Sequence, residues 1–152
     1  MQKGSLHPLT ILQEEAYSLF SGLGFEIASG PELETTWYNF DALNVPKDHP
    51  ARDMQDTFYV KTTSLDTFSS RLHPLSGGSD ADSEKASKDF VLRTHATNVT
   101  ARTLERAAKE NISEIASISI GKVFRNEATD ITHEMQFFQI DGCMIGENVN
   151  LA

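Results

Sequence analysis

The sequence predicts a mixed α+β fold, and three observations carry that expectation. Apolar residues recur every three or four positions near the amino terminus and again around residues 98–109, the spacing of one helical face. Two later runs, Ile115–Arg125 and Met135–Ile145, alternate with period two on either side of a polar loop, as an antiparallel hairpin does. With 39% hydrophobic and 23% charged side chains, the 152 residues have enough apolar material for a core, in one ordinary domain or part of a larger one.

In chain order, the first helix is expected from about Pro8 to Leu23, with Leu9, Leu12, Ala16, Leu19, Phe20 and Leu23 on its packing face. Pro8 suits a first turn, where its missing N–H has no helical partner, and Gly22 and Gly24 supply the stop. A short strand, Phe25–Ala28, ends at Gly30-Pro31 because proline cannot donate to a sheet ladder. A helical turn over Thr36–Leu43, a loop over Asn44–Asp53 and a strand over Thr57–Val60 follow. Residues 61 to about 89 read differently: Ser76–Glu84 is small and polar with nothing to bury, so a flexible surface insertion is expected, a domain boundary being the lesser reading. Order resumes with a strand at Phe90–Leu92 and a helix from about Asn98 to Lys109. That helix turns Val99, Leu104, Ala107 and Ala108 inward, with Thr97 as its cap.

Period two then sorts the hairpin. Ile118, Ile120 and Phe124 share a face with Phe138, Ile140 and Met144, a greasy face that must pack. Ser117, Ser119, Gly121, Val123 and Arg125 share the other with Phe137, Gln139, Asp141 and Cys143, which reads as the floor of a polar site. The loop between the strands runs from Asn126 to His133.

Composition excludes several function classes. Thirteen Lys+Arg against twenty-two Asp+Glu give a net charge of −9, the wrong sign for a module that holds a polyanion by bulk charge. The single cysteine, Cys143, rules out an internal disulfide and a multi-cysteine zinc site; it reads as a small buried filler in a reducing compartment. His7, His49 and His73 lack ligand-like spacing, and no metal site is expected on them. No apolar run reaches membrane-spanning length and Met1–Leu6 lacks a signal-peptide core, so a soluble, cytoplasmic protein is expected.

The polar face suggests a chemistry. Arg125 carries a planar fork of donors suited to a phosphate or carboxylate, and Phe137 a flat face for a base. Gln139 and Asp141 can hold an ammonium group. Such a set would grip a nucleotide at one end and an amino acid at the other. Considered alone, Arg125 and Glu127 could equally be an exposed ion pair worth ~0–1 kcal/mol. A lone His95 or His133 is more often a surface or hydrogen-bonded histidine, and Asp41, Asp48, Asp53 and Asp56 read as solvated surface or turn formers.

Gly121-Lys122-Val123-Phe124-Arg125-Asn126-Glu127, followed by Asp130–Glu134 and Phe137–Gly142, resembles motif 2 of class II aminoacyl-tRNA synthetases, specifically the α-subunits of phenylalanine–tRNA ligases. Four more blocks agree in order: His7–Thr10; Gly30-Pro31-Glu32 with Tyr38–Asn44; Pro46–Phe58; and Leu92-Arg93-Thr94-His95. The resemblance implies an antiparallel sheet flanked by helices over residues 6–152, incomplete at the carboxyl terminus, with the first helix and strand at a subunit interface. It implies that Arg125 binds the α-phosphate of ATP, that Phe137 stacks on adenine, and that Glu127 and His133 belong to the loop around the nucleotide. His95, Thr97, Gln139 and Asp141 would receive the carboxylate and ammonium of phenylalanine. It further implies Mg2+, its protein ligand expected beyond Ala152, a β-subunit in an α2β2 assembly, and tRNA(Phe) acylated on a 2′-hydroxyl. Two positions depart from the family pattern: Thr100 stands where glutamine is usual, and Asp141 where glutamate is. A catalytically silent amino-acid or nucleotide-binding module and a class II enzyme for another amino acid are the alternatives. A chain ending here would expose a sheet edge and an apolar face, which predicts poor solubility.

Overall fold

The computed structural model describes residues 4–52, 56–60, 90–127 and 130–150. Two three-stranded sheets are joined through β4 and one long helix. Helix α1 is Pro8–Gly22, β1 Glu26–Ile27, β2 Leu33–Thr35 and α2 Thr36–Asn39, followed by 3-10 turns at Asp41–Leu43 and Pro50–Arg52. Then come β3 (Tyr59–Val60), β4 (Phe90–Leu92), α3 (Thr97–Glu110), β5 (Ile115–Phe124) and β6 (Gln136–Ile145). The expected insertion at 61–89 lies outside the described residues.

The hairpin is as the alternation requires: β5 and β6 pair antiparallel from Ile115↔Ile145 to Phe124↔Gln136. β1 joins the same sheet parallel to β5, through Glu26↔Ser117 and Ile27↔Ile118. β2, β4 and β3 form the second sheet, wholly antiparallel. Helix α1 begins at Pro8 and stops at Gly22, with Gly24 at φ +88°, a conformation open to a residue without Cβ. His7 adds a cap that its residue type did not announce, its Nδ1 accepting from the Leu9 N–H at 3.2 Å. Strand β3 is shorter than expected, and the Thr57 hydroxyl ahead of it donates to the Ala51 carbonyl at 2.8 Å.

Burial reverses two expectations. The apolar face of α1 is largely uncovered, with Leu9, Leu12, Leu19 and Leu23 exposed; Phe20 alone of that face makes an aromatic contact, edge-on to Phe25 at 5.5 Å. The greasy face of the hairpin is likewise open at its outer end, where Ile140 and Met144 are more than half exposed. Ile118 of that face is buried, and on the small and polar face Ser117, Ser119 and Val123 are covered too, while Arg125, Phe137, Gln139 and Asp141 are half-buried. Short side chains there let α3 approach the sheet closely. Helix α3 buries Asn98, Val99, Thr103 and Ala107, while Leu104 and Ala108 face outward, contrary to the apolar-face expectation.

Arg93, buried at the end of β4, ties these layers together. Its Nε donates to the Lys122 carbonyl at 2.7 Å and its Nη1 to the Gly30 carbonyl at 3.3 Å. Burial holds its guanidinium below the usual arginine range, with Glu32 and Glu34 opposing that shift. The guanidinium lies directly over Gly121, where a Cβ would stand 2.0 Å from Nη2. Because that guanidinium is anchored at both ends, Gly121→Ala is expected to destabilise the chain by ~1–3 kcal/mol through overpacking. Denaturant melts would check this, and an unchanged midpoint would mean that Arg93 can step aside.

Candidate active site

The site forms where β4, α3 and β6 converge. The chain leaves β4 through Arg93-Thr94-His95 and enters α3 at Thr97, whose expected capping role is corrected by the structure. Ala96 is the cap residue and offers no side-chain bond. The helix terminus is served instead from across the sheet: Gln139 Oε1 on β6 accepts from the Ala96 N–H at 3.1 Å. The Thr97 hydroxyl donates to Asp141 Oδ1 at 3.3 Å, and the Thr100 hydroxyl to Asp141 Oδ2 at 2.6 Å. Thr97 and Thr100 stand three residues apart, on one helical face, so both reach the same carboxylate.

His95 is fixed from α2. Its Nε2 bonds the Asn39 carbonyl at 2.8 Å; since a carbonyl only accepts, Nε2 carries the proton of the neutral ring and Nδ1 is an acceptor. That Nδ1 is buried and has no partner among the described residues. Asn39, fully buried, also brackets Thr94, giving Nδ2–H to its hydroxyl at 3.0 Å and taking its N–H at 3.1 Å. Asn39 is thus the residue that sets the entrance to α3, and its only sequence signal was its place in the Tyr38–Asn44 block.

Burial pushes the His95 imidazole below its ordinary value, partly offset by the Asn39 bond and by Asp141, and reinforced by Arg125 and Arg93. The unfolded ring takes up a proton near pH ~6.5, whereas the folded one does so at lower pH. Stability linked to His95 is therefore complete above that unfolded value and declines as pH falls through the folded one. NMR titration of the ring is expected to give a midpoint below 6.5, and a midpoint above it would contradict the burial argument.

Cross-strand register puts Asp141 opposite Ser119, Gln139 opposite Gly121 and Phe137 opposite Val123. The alternation of β5 carries Arg125, one residue past its end, onto that same side. The guanidinium lies 5.0 Å from the centre of the Phe137 ring. Its contact with Glu127 is loose, 3.9 Å between two part-exposed side chains, so the ion pair is worth little. Arg125, Glu127, Phe137, His95, Thr97, Gln139 and Asp141 thus border one polar surface. His133 is not brought into contact with them: it sits in the exposed loop, where Asp130 accepts from the backbone N–H groups of Thr132 and His133 and meets the His133 ring at 2.9 Å. The Thr132 backbone N–H, then the His133 ring, hold the Asp130 carboxyl down at about 2. Among the described residues no group of three or more His, Cys, Asp or Glu could hold a metal ion. No described helix is long and apolar enough to cross a membrane.

The chain can be compared with known proteins on this basis. It is 44% identical over 149 residues to a phenylalanine–tRNA ligase α-subunit of Lysinibacillus sphaericus, covering 98% of this chain and 35% of that protein. It is 39% identical over 152 residues to the α-subunit of Bacillus mycoides, covering 36% of it. The chain therefore spans about a third of the length of these curated relatives. Among solved structures, the pyrrolysyl-tRNA synthetase of Desulfitobacterium hafniense superposes with a TM-score of 0.63 at 14% identity, over 90% of this chain and 39% of that one, a likeness of fold. All of residues 1–152 match the family described as tRNA synthetases class II core domain (F), and the chain belongs to that family.

Proposed function

We propose that this chain is part of the catalytic domain of a phenylalanine–tRNA ligase α-subunit, working in the cytoplasm with a β-subunit as an α2β2 assembly. The observation that carries the reading is the shared polar surface. A guanidinium and an aromatic face stand at one end of the β5–β6 floor, and a carboxylate and a buried imidazole acceptor at the other. The names of the relatives support the choice of amino acid.

On this reading the carboxylate of phenylalanine attacks the α-phosphorus of ATP, pyrophosphate leaves, and the aminoacyl group passes to the 2′-hydroxyl of the terminal ribose of tRNA(Phe). Negative charge on the α-phosphate oxygens is met by Arg125, whose part-exposed fork is committed to no strong partner among the described residues. Phe137 offers its ring to adenine, Glu127 borders the nucleotide, and His133 reaches it from the loop. Asp141 holds the ammonium, while Gln139, Thr97 and His95 line that end. Holding both substrates in line supplies much of the acceleration. Magnesium supplies further charge neutralisation when bound with the nucleotide.

Phenylalanine-dependent ATP–pyrophosphate exchange by the full-length protein with its β-subunit is the expected result. Exchange with a different amino acid alone would reassign the substrate. Binding of ATP or phenylalanine with no exchange would make the protein a silent module.

A further inference from the structure

We infer that Thr100 is a positioning residue for the amino-acid subsite, holding the Asp141 carboxylate in the orientation that receives the substrate ammonium; this rests on the function proposed above. The shorter bond to Asp141 comes from Thr100 (2.6 Å), not from Thr97 (3.3 Å). Both donors are neutral hydroxyls, and Asp141 makes no ion pair among the described residues. Its charge is therefore oriented but not cancelled, which is what a receptor for a cation requires. A carboxylate has about four lone-pair sites, and two are occupied here, leaving the rest for an ammonium. A β-branched threonine in a helix has few rotamers, so its hydroxyl is held in place at little entropic cost.

Thr100 on α3 and Asp141 on β6 thus act as one unit, the helix hydroxyl steadying the strand carboxylate. Thr100 touches no substrate on this reading and acts only through Asp141.

The test compares Thr100→Val, Thr100→Ala and Thr100→Ser in the full-length α-subunit assembled with its β-subunit. Two competitive inhibitors of exchange separate the ends of the substrate: phenylalaninol keeps the ammonium and lacks the carboxylate, and 3-phenylpropionate does the reverse. Thr100→Val and Thr100→Ala are expected to raise the KM for phenylalanine and the inhibition constant of phenylalaninol about tenfold, the scale of a hydrogen bond to a charged group. The constant for 3-phenylpropionate and the KM for ATP should stay within about twofold, and Thr100→Ser should restore the parental values. If both inhibitors weaken together, or neither changes, or the Val and Ala variants fail to fold, the pair merely secures the start of α3 and the positioning role is overturned. Absence of exchange in the parental enzyme refutes the proposed function and the positioning role with it. Parental exchange with an unmoved phenylalanine KM in both variants refutes the positioning role alone.

Discussion

Arg125→Ala is expected to lower phenylalanine-dependent ATP–pyrophosphate exchange by about 10²- to 10³-fold, the loss typical of removing one preorganised donor to a developing charge. The side chain is 41% exposed, its carboxylate contact with Glu127 is long, and its guanidinium lies 5.0 Å from the centre of the Phe137 ring. Little of the fold depends on those contacts, so the melting temperature should move by no more than a degree or two. Arg125→Lys keeps the charge but not the fork, and should recover only part of the rate. Steady-state exchange beside a thermal melt of each variant decides the matter. Undiminished exchange in Arg125→Ala would falsify the role assigned to the guanidinium.

The largest loss of stability is expected elsewhere, at Arg102. Glu34 on β2 is fully buried, a position that a carboxylate tolerates only when paired and hydrogen-bonded. Arg102 on α3 supplies both arms, Nε to Oε2 at 2.8 Å and Nη2 to Oε1 at 2.6 Å, and the Thr35 N–H adds a third bond at 2.8 Å. The guanidinium also lies 3.8 Å over the Tyr38 ring, whose hydroxyl donates to Glu105. Burial and that bonded carboxylate raise the Tyr38 phenol well above its ordinary range, so it remains a donor at any working pH. The Glu34 fork on Arg102 raises its affinity for the proton, although burial opposes it. Arg102→Met strands a charge in the interior and should cost ~3–5 kcal/mol, a large share of the ~5–15 kcal/mol that holds an ordinary domain together.

Trp37, the single tryptophan, stands 4.7 Å from Tyr38 and reports on this network directly. Urea unfolding of the 152-residue chain, followed by its fluorescence, should show the loss as a lower midpoint. Adding Glu34→Gln to Arg102→Met removes the stranded charge and should recover part of it. A midpoint unmoved by Arg102→Met would show that Glu34 takes up a proton or water at no cost.

The sequence pattern and the tertiary structure contributed differently to the site. Period two on Ile115–Arg125 and Met135–Ile145 sorts Arg125, Phe137, Gln139 and Asp141 onto one side, and the register agrees. The same pattern anticipated the burial of Ile118 but not that the outer end of its face is open or that part of the opposite face is covered. Hydrophobicity argued for the face of Ile140 and Met144, yet these are open, and Ser117 and Ser119 are buried because only short side chains admit α3. Strand β2 has no legible pattern in the sequence because the buried Glu34 spoils any alternation, and its partner lies 68 residues away. His133 matched its block, but its described bonds stay inside the loop.

Helix limits, the hairpin and its two faces, and the ordered blocks of the synthetase core follow from residue spacing, which is a property of neighbours along the chain. Which face is buried, which atom of His95 is left as an acceptor, and which hydroxyls hold Asp141 depend on contacts 41 to 56 residues apart. Those contacts exist only once the desolvation of Glu34, Asn39 and Arg93 has been compensated all together, and no local pattern carries that condition.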